Sequence, residues 1–153
     1  MRKLTLAVAT LGLAALGLSV PANAHAVSGC NAKWPGRDGY VRAWRDADCQ
    51  GELLGATPGN DPDWGDNFDA FRSGDENAAS SVMNSGFVGG KDVVAFYYVA
   101  GYPDWAYGCL KPGELYVDNL ARNHFTNGEN MNDNIMSHVW VASSACAPGS
   151  FIS

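Results

Sequence analysis

The chain has 153 residues, four cysteines and a formal net charge of −6, with 11% aromatic and only 17% charged residues. That is about one domain, too short for a barrel of eight βα units at roughly 250 residues. Its 18 glycines and low charge suit a turn-rich β domain, not a helical bundle or a disordered chain. An acidic chain without a Lys/Arg cluster is a poor partner for phosphate backbones, so nucleic acid is excluded as a partner.

Residues 1–24 read as a secretory signal peptide. Arg2 and Lys3 give a positive start, residues 4–20 carry no charge, and Pro21 breaks any helix. Small-x-small patterns then place cleavage after Ala24 or Ala26. The uncharged run is at the short end of a membrane span, and no later stretch is apolar enough to cross a bilayer. The expectation is a secreted, extracellular protein with no membrane contact after cleavage, monomeric, with one domain over residues 27–153. Loss of Arg2 and Lys3 leaves 8 basic against 16 acidic residues, a net charge of −8.

Secretion gives the cysteines their meaning. Cys30, Cys49, Cys109 and Cys146 are even in number and lie in the mature part. An oxidising compartment favours two disulfides, for which three pairings exist. The pairing Cys30–Cys49 with Cys109–Cys146 keeps each bridge within one half of the chain. No Cys-x-x-Cys pair supports a zinc site.

Strand signals follow in chain order. Residues 39–45 alternate Tyr40, Arg42 and Trp44 against Val41 and Ala43. Residues 91–98 carry Val93, Val94, Phe96, Tyr97 and Tyr98, and residues 135–142 alternate Ile135, Ser137, Val139 and Val141 against Met136, His138 and Trp140. These β-branched and aromatic runs have period two and are bounded by Gly, Asn, Asp and Pro. After residue 26 no stretch sustains a capped helical period, beyond a single turn over 66–71 or 120–125. The acidic segment from Asp61 to Asp69 is no EF-hand, because its twelfth position is Arg72 and its glycine falls fifth. It reads as a solvated loop.

An internal repeat organises these signals. Ala43-Trp44, Leu53-Leu54, Pro58-Gly59 and Asn77 to Val82 answer to Ala95-Phe96, Cys109-Leu110, Pro112-Gly113 and Asn134 to Val139. The offsets drift from 52 to 57, as loop insertions would produce. A period near 50 points to one supersecondary unit used twice. Two copies of four short strands predict an all-β sandwich of two Greek-key motifs. The first spans about 38–88 and the second about 91–146.

This pattern resembles the βγ-crystallin superfamily: an aromatic first strand, a Pro-Gly turn and a late Asn/Asp-rich segment ending in Ser. Its nearest flavour is similar to the secreted actinobacterial peptidase-inhibitor family, disulfide-bonded βγ-crystallin-like proteins that block metalloproteinases. Val94-Ala95-Phe96-Tyr97, Gly108 to Glu114 and Met131 to His138 carry that likeness. The resemblance implies a disulfide-bonded βγ-crystallin-like sandwich and a non-enzymatic peptidase inhibitor with an extracellular protease as partner. It also implies Ca²⁺ as a ligand, held by Glu76, Asn77 and Ser80 from one copy and Asp133, Asn134 and Ser137 from the other. The alternatives are a calcium-binding module and a killer-toxin-like antimicrobial protein. Glu76 departs from the motif's Asn/Asp, and His138 from its final Ser. Asn and Ser in such segments also cap tight turns with no metal present.

Enzyme signals are thin. There is no His-Glu-x-x-His and no Gly-x-Ser-x-Gly. Ser137, His138 and Asp133 lie close in sequence, but neighbours on one strand face opposite sides. For partner binding, Tyr102 and Trp105 flank a proline in the turn-like segment Gly101 to Trp105 and are the candidate exposed rings.

Overall fold

The computed structural model describes residues 29–153. The predicted leader and its cleavage positions lie outside the described residues. The period-two runs become strands. In chain order these are β1 (Val41–Asp46), β2 (Gln50–Thr57), β3 (Ser81–Asn84), β4 (Val93–Tyr97), β5 (Tyr107–Leu110), β6 (Tyr116–Val117) and β7 (Ser137–Val141). A five-residue helix, α1 (Gly29–Lys33), precedes them. It is too short to show a helical period in the sequence. Residues 66–71 form turns rather than a helix, whereas Leu120–Arg122 forms a 3-10 turn whose Asn119 side chain accepts from Ala121 N at 3.0 Å.

Two antiparallel sheets result, ordered β2-β1-β3-β6 and β5-β4-β7. In each half the first strand pairs with the second and the fourth. The third strand leaves its own half. β6, third in the second half, pairs with β3 through Val82 opposite Val117. Asp61 occupies the matching place in the first half and bridges His138 of β7. That third strand shrinks to a single bridge because Pro62 follows it, and proline cannot donate to a ladder. The fold is therefore a βγ-crystallin-like sandwich of two Greek keys that exchange their third strands.

Hydrogen bonds fix which residues of the two halves correspond. Ser80 N donates to Trp44 O at 3.0 Å, and Met136 N to Tyr97 O at 2.9 Å. Leu120 N donates to Ser80 O, and Trp64 N to Met136 O, both at 2.9 Å. The repeat read from sequence is thus one residue out of frame. Ala43 answers to Phe96, Ser80 to Met136 and Val82 to His138, not to Ala95, Ser137 and Val139. A slip of one residue exchanges the two faces of a strand. The burial confirms the frame: Ala43 and Phe96 face the central core, while Ala95 faces outward.

The central core between the sheets contains Val41, Leu54, Trp64, Phe71, Val82, Phe96, Leu110 and Ile135, each almost fully buried. Each sheet also has an apolar outer face, and each is covered by a tethered end of the chain. On the first sheet, α1 brings Cys30 to Cys49 beside Trp44 and Met83. On the second, the C-terminal segment brings Cys146 to Cys109 beside Val93, Ala95 and Phe151. Both disulfides are those expected from sequence, and their Cα separations of 4.8 and 6.4 Å lie in the ordinary range. Such bridges suit an oxidising compartment.

Loop-closure entropy ranks the two bridges. A separation of 19 residues predicts about 3 kcal/mol for replacing Cys30 and Cys49 by Ser, and one of 37 predicts about 4 kcal/mol for Cys109 and Cys146. Urea unfolding of the two double variants checks this, with the second pair expected to cost more.

Candidate functional site

The expected calcium segments meet at the junction of the two keys. Asn77 N donates to Ile135 O and Asp133 N to Ala79 O, both at 2.9 Å, so Asn77 and Asp133 are counterparts. Both adopt φ near +55°, a conformation Asn and Asp tolerate better than most residues. Ser80 Oγ donates to Asp133 Oδ1 at 3.2 Å, and Asn132 Nδ2 donates to Asp133 Oδ2 at 2.7 Å. These three side chains form one corner. The other expected ligands stand elsewhere. Glu76 accepts from Gly74 N at 2.6 Å. Asn134 Nδ2 donates to the carbonyls of Asn130 and Asn132, both at 3.0 Å, as a turn cap. Ser137 is fully buried and donates to Val99 O at 2.9 Å. Its counterpart is Ser81, also buried and donating to Asp46 O at 2.7 Å. The hydroxyl position matching Ser80 is taken by the Met136 thioether, a poor ligand for a hard cation.

His138 occupies the core. Its ring is fully buried. Nδ1 accepts from Trp64 Nε1 at 2.9 Å, and Nε2 donates to Gly59 O at 3.1 Å. Those two partners require the neutral ring protonated at Nε2. Trp64 stacks on Phe71 with centroids 3.9 Å apart, and His138 meets both rings edge-on. Ser137, His138 and Asp133 therefore form no catalytic set: the first bonds a backbone carbonyl, the second is enclosed, and the third pairs with Ser80.

The acidic loop folds on its own carboxylates. Asp61, fully buried, accepts from the backbone N–H groups of Asp63 at 3.1 Å and Phe71 at 3.2 Å. Asp63 accepts from Gly65 N, and Asp66 from Phe68 N, both at 2.9 Å. Gly101 N donates to Pro62 O at 2.9 Å, which sets the 101–105 turn beside this loop. Tyr102 is half-buried, with φ of +59° and its ring 5.6 Å from that of Tyr97. Burial, with the Asp61 and Asp69 charges adding to it, pushes its hydroxyl up to about 12. Trp105 is 53% exposed and packs edge-on against Tyr98.

Sequence reasoning passed over the connector between the keys. Phe87 and Val88 are 67% and 71% exposed at its tip. The root is fixed from several sides. Asn84 Nδ2 donates to Asp92 O and Leu110 O at 2.9 Å, and its Oδ1 accepts from Gly86 N at 3.0 Å. Arg37 donates to the carbonyls of Asn84, Gly86 and Pro112. Gly89 N closes the far side on Asp92 Oδ2 at 2.7 Å. The signal was Gly-Phe-Val-Gly-Gly: two apolar residues among glycines, where no strand can bury them. Beside the connector lies an open cleft of about 520 Å³ that includes Phe87, Trp140, Asn60 and Asp38.

No protein-family model matches the chain, and no curated protein matches it. Among solved structures it is similar to a chain from work on the evolution of the eye lens βγ-crystallin domain fold. The two are 23% identical, with a TM-score of 0.49 over 69% of this chain and 86% of that one. The fold assignment rests on the strand order and the exchange of third strands.

Burial holds the His138 imidazole down at about 4, against an ordinary value of 6.5. The unfolded chain therefore takes up a proton before the folded protein does. Stability is full above about pH 6.5 and falls as pH drops toward 4, by roughly 3 kcal/mol in all. Burial raises the carboxyls of Asp61 and Asp75, which works in the opposite sense at the acid end. Urea midpoints measured across this window should fall with one proton's slope. His138→Gln should lose that proton's share of the slope, whatever the variant's stability at neutral pH.

Proposed function

We propose that this protein is a secreted, non-enzymatic inhibitor of an extracellular peptidase, and that the Phe87–Val88 connector enters the enzyme's cleft. The observation that supports this is the union of an exposed apolar tip with a root fixed by Asn84, Arg37 and Asp92. A loop already held in shape loses less conformational entropy when it docks. Apolar side chains offered to a subsite bring binding energy through burial. The resemblance to secreted peptidase inhibitors supports the same reading, as do two disulfides suited to an oxidising compartment. Tyr102 and Trp105 are the competing contact, since they too stand at a turn. Trp105, however, leans on Tyr98, and Tyr102 on Tyr97.

The test is inhibition of a thermolysin-like metalloproteinase and a subtilisin-like serine peptidase by the oxidised protein. Val88→Asp is expected to weaken inhibition at least about tenfold, or about 1.4 kcal/mol, with an unchanged melting temperature. Trp105→Ala should leave inhibition intact. Failure of the unaltered protein to inhibit either class overturns the reading, and selective loss in Trp105→Ala transfers the contact to the 101–105 turn.

A second reading concerns calcium, favoured by the contact of Ser80 with Asp133. Asp133, Ser80 and Asn132 supply oxygens of the kind the ion takes, while the counterpart corner has Met136 where a hydroxyl is needed. We expect one weak site instead of two, with Kd on the order of 10⁻⁴ to 10⁻³ M. Calcium should raise the melting temperature, Asp133→Ala should abolish the rise, and Asn77→Ala should leave it. Equal loss in both variants would restore the paired site.

A further inference from the structure

The cleft beside the connector is built from both keys and shares only Phe87 with the inhibitory connector. Its volume is about 520 Å³, and it opens to solvent between the residues before β1, the turn after β2, the connector and β7. Two aromatic rings form its apolar part. Trp140 lies against the backbone of Gly86, where an added Cβ would come within 2.5 Å of the indole. Phe87 lies against Gly39, where an added Cβ would come within 2.8 Å of the ring and where φ is +89°. Only glycine at these two positions lets both rings settle on the backbone and line the cleft.

Polar groups of mixed character surround those rings. Asp38 lines the cleft with its carboxylate held by Arg42 and by Tyr40 N. Asn60 Oδ1 accepts from Trp140 N at 2.9 Å, which commits its oxygen and leaves its Nδ2 to solvent. Lys91 has no carboxylate partner among the described residues. Trp140 Nε1 is buried and has no hydrogen-bond partner among the described residues. An acceptor, an amide donor and an ammonium around two rings suit a neutral ligand with an apolar face and many hydroxyls. A single unpaired lysine does not suit a polyphosphate, which needs several cations. A lipid tail would leave the polar half of the wall unmatched.

We propose that this cleft binds a β-linked oligosaccharide of all-equatorial pyranose units. In such sugars every ring hydroxyl projects sideways, so both ring faces present only axial C–H groups. One face lies on the rings of Trp140 and Phe87, and the rim hydroxyls meet Asp38, Asn60 and Lys91. An α-linked chain curves and cannot lay consecutive units on the same wall. Phe87 is the one residue this site shares with the inhibitory connector, so Val88 at the outer tip tells the two contacts apart.

The experiment is a titration of the ¹⁵N-labelled oxidised protein with cellohexaose, to about 10 mM, a range that detects millimolar dissociation constants. The five tryptophans give five indole N–H signals at most. The Trp140 indole and the amides of Asn60 and Phe87 should shift and saturate, while the Trp105 indole stays still. Lys91→Ala and Phe87→Ala, both at exposed positions, should weaken binding several-fold without a change in melting temperature. Val88→Asp should bind as the unaltered protein does, which separates this site from the inhibitory contact. Three outcomes overturn the proposal: no shift over the whole range, shifts gathered at Tyr102 and Trp105, or equal binding of α-linked maltohexaose.

Discussion

Neither Greek key completes a sheet by itself. The fourth strand of each key, β3 or β7, exposes an edge that only the other key's third strand fills. An open edge is a row of unpaired donors and acceptors, so the two halves satisfy each other's backbone. The core follows from that constraint. Val82 and Phe96 can be buried only when both sheets are present and face to face. Each key therefore behaves as half of one cooperative unit, although the chain repeats itself.

The near-symmetry makes the departures from it informative. Where the first sheet and the segment crossing to it have apolar Val82 and Leu120, the second has His138 and Trp64, joined by a hydrogen bond inside the core. A buried imidazole is costly unless both nitrogens are satisfied, and Gly59 and Trp64 do this. The pair ties the crossing segment near Asp61 to β7, where a full strand is missing. Met136 in place of a second Ser80 breaks the symmetry again, and it leaves the hydroxyl-to-carboxylate contact at one corner only.

Much of this fold was legible in the sequence. Period-two runs marked β1, β4 and β7, and keeping each bridge within one half gave both disulfides. The repeat was visible, but its frame was not. Asn132, Asp133 and Asn134 allow two alignments on Asn77, and only backbone hydrogen bonds choose Asp133. That choice decides which side chains face each other across the junction, and it sets Asp133 opposite Asn77. Asn132 stands beside Asp133, while Asn134 and Ser137 bond backbone carbonyls. The cleft was invisible for a different reason: Asp38, Asn60, Phe87 and Trp140 come from four separate segments, and no local pattern unites them.

The exchange of third strands also bears on concentration. The hydrogen bonds that seat β6 on β3 are the same whichever molecule supplies β6. Geometry within one chain selects the partner, through a connector that runs only from Ser85 to Asp92 and is pinned at its root by Asn84 and Arg37. A short, fixed tether keeps the effective concentration of a chain's own second half far above that of any neighbour. The connector thus favours pairing within one chain over strand exchange between copies.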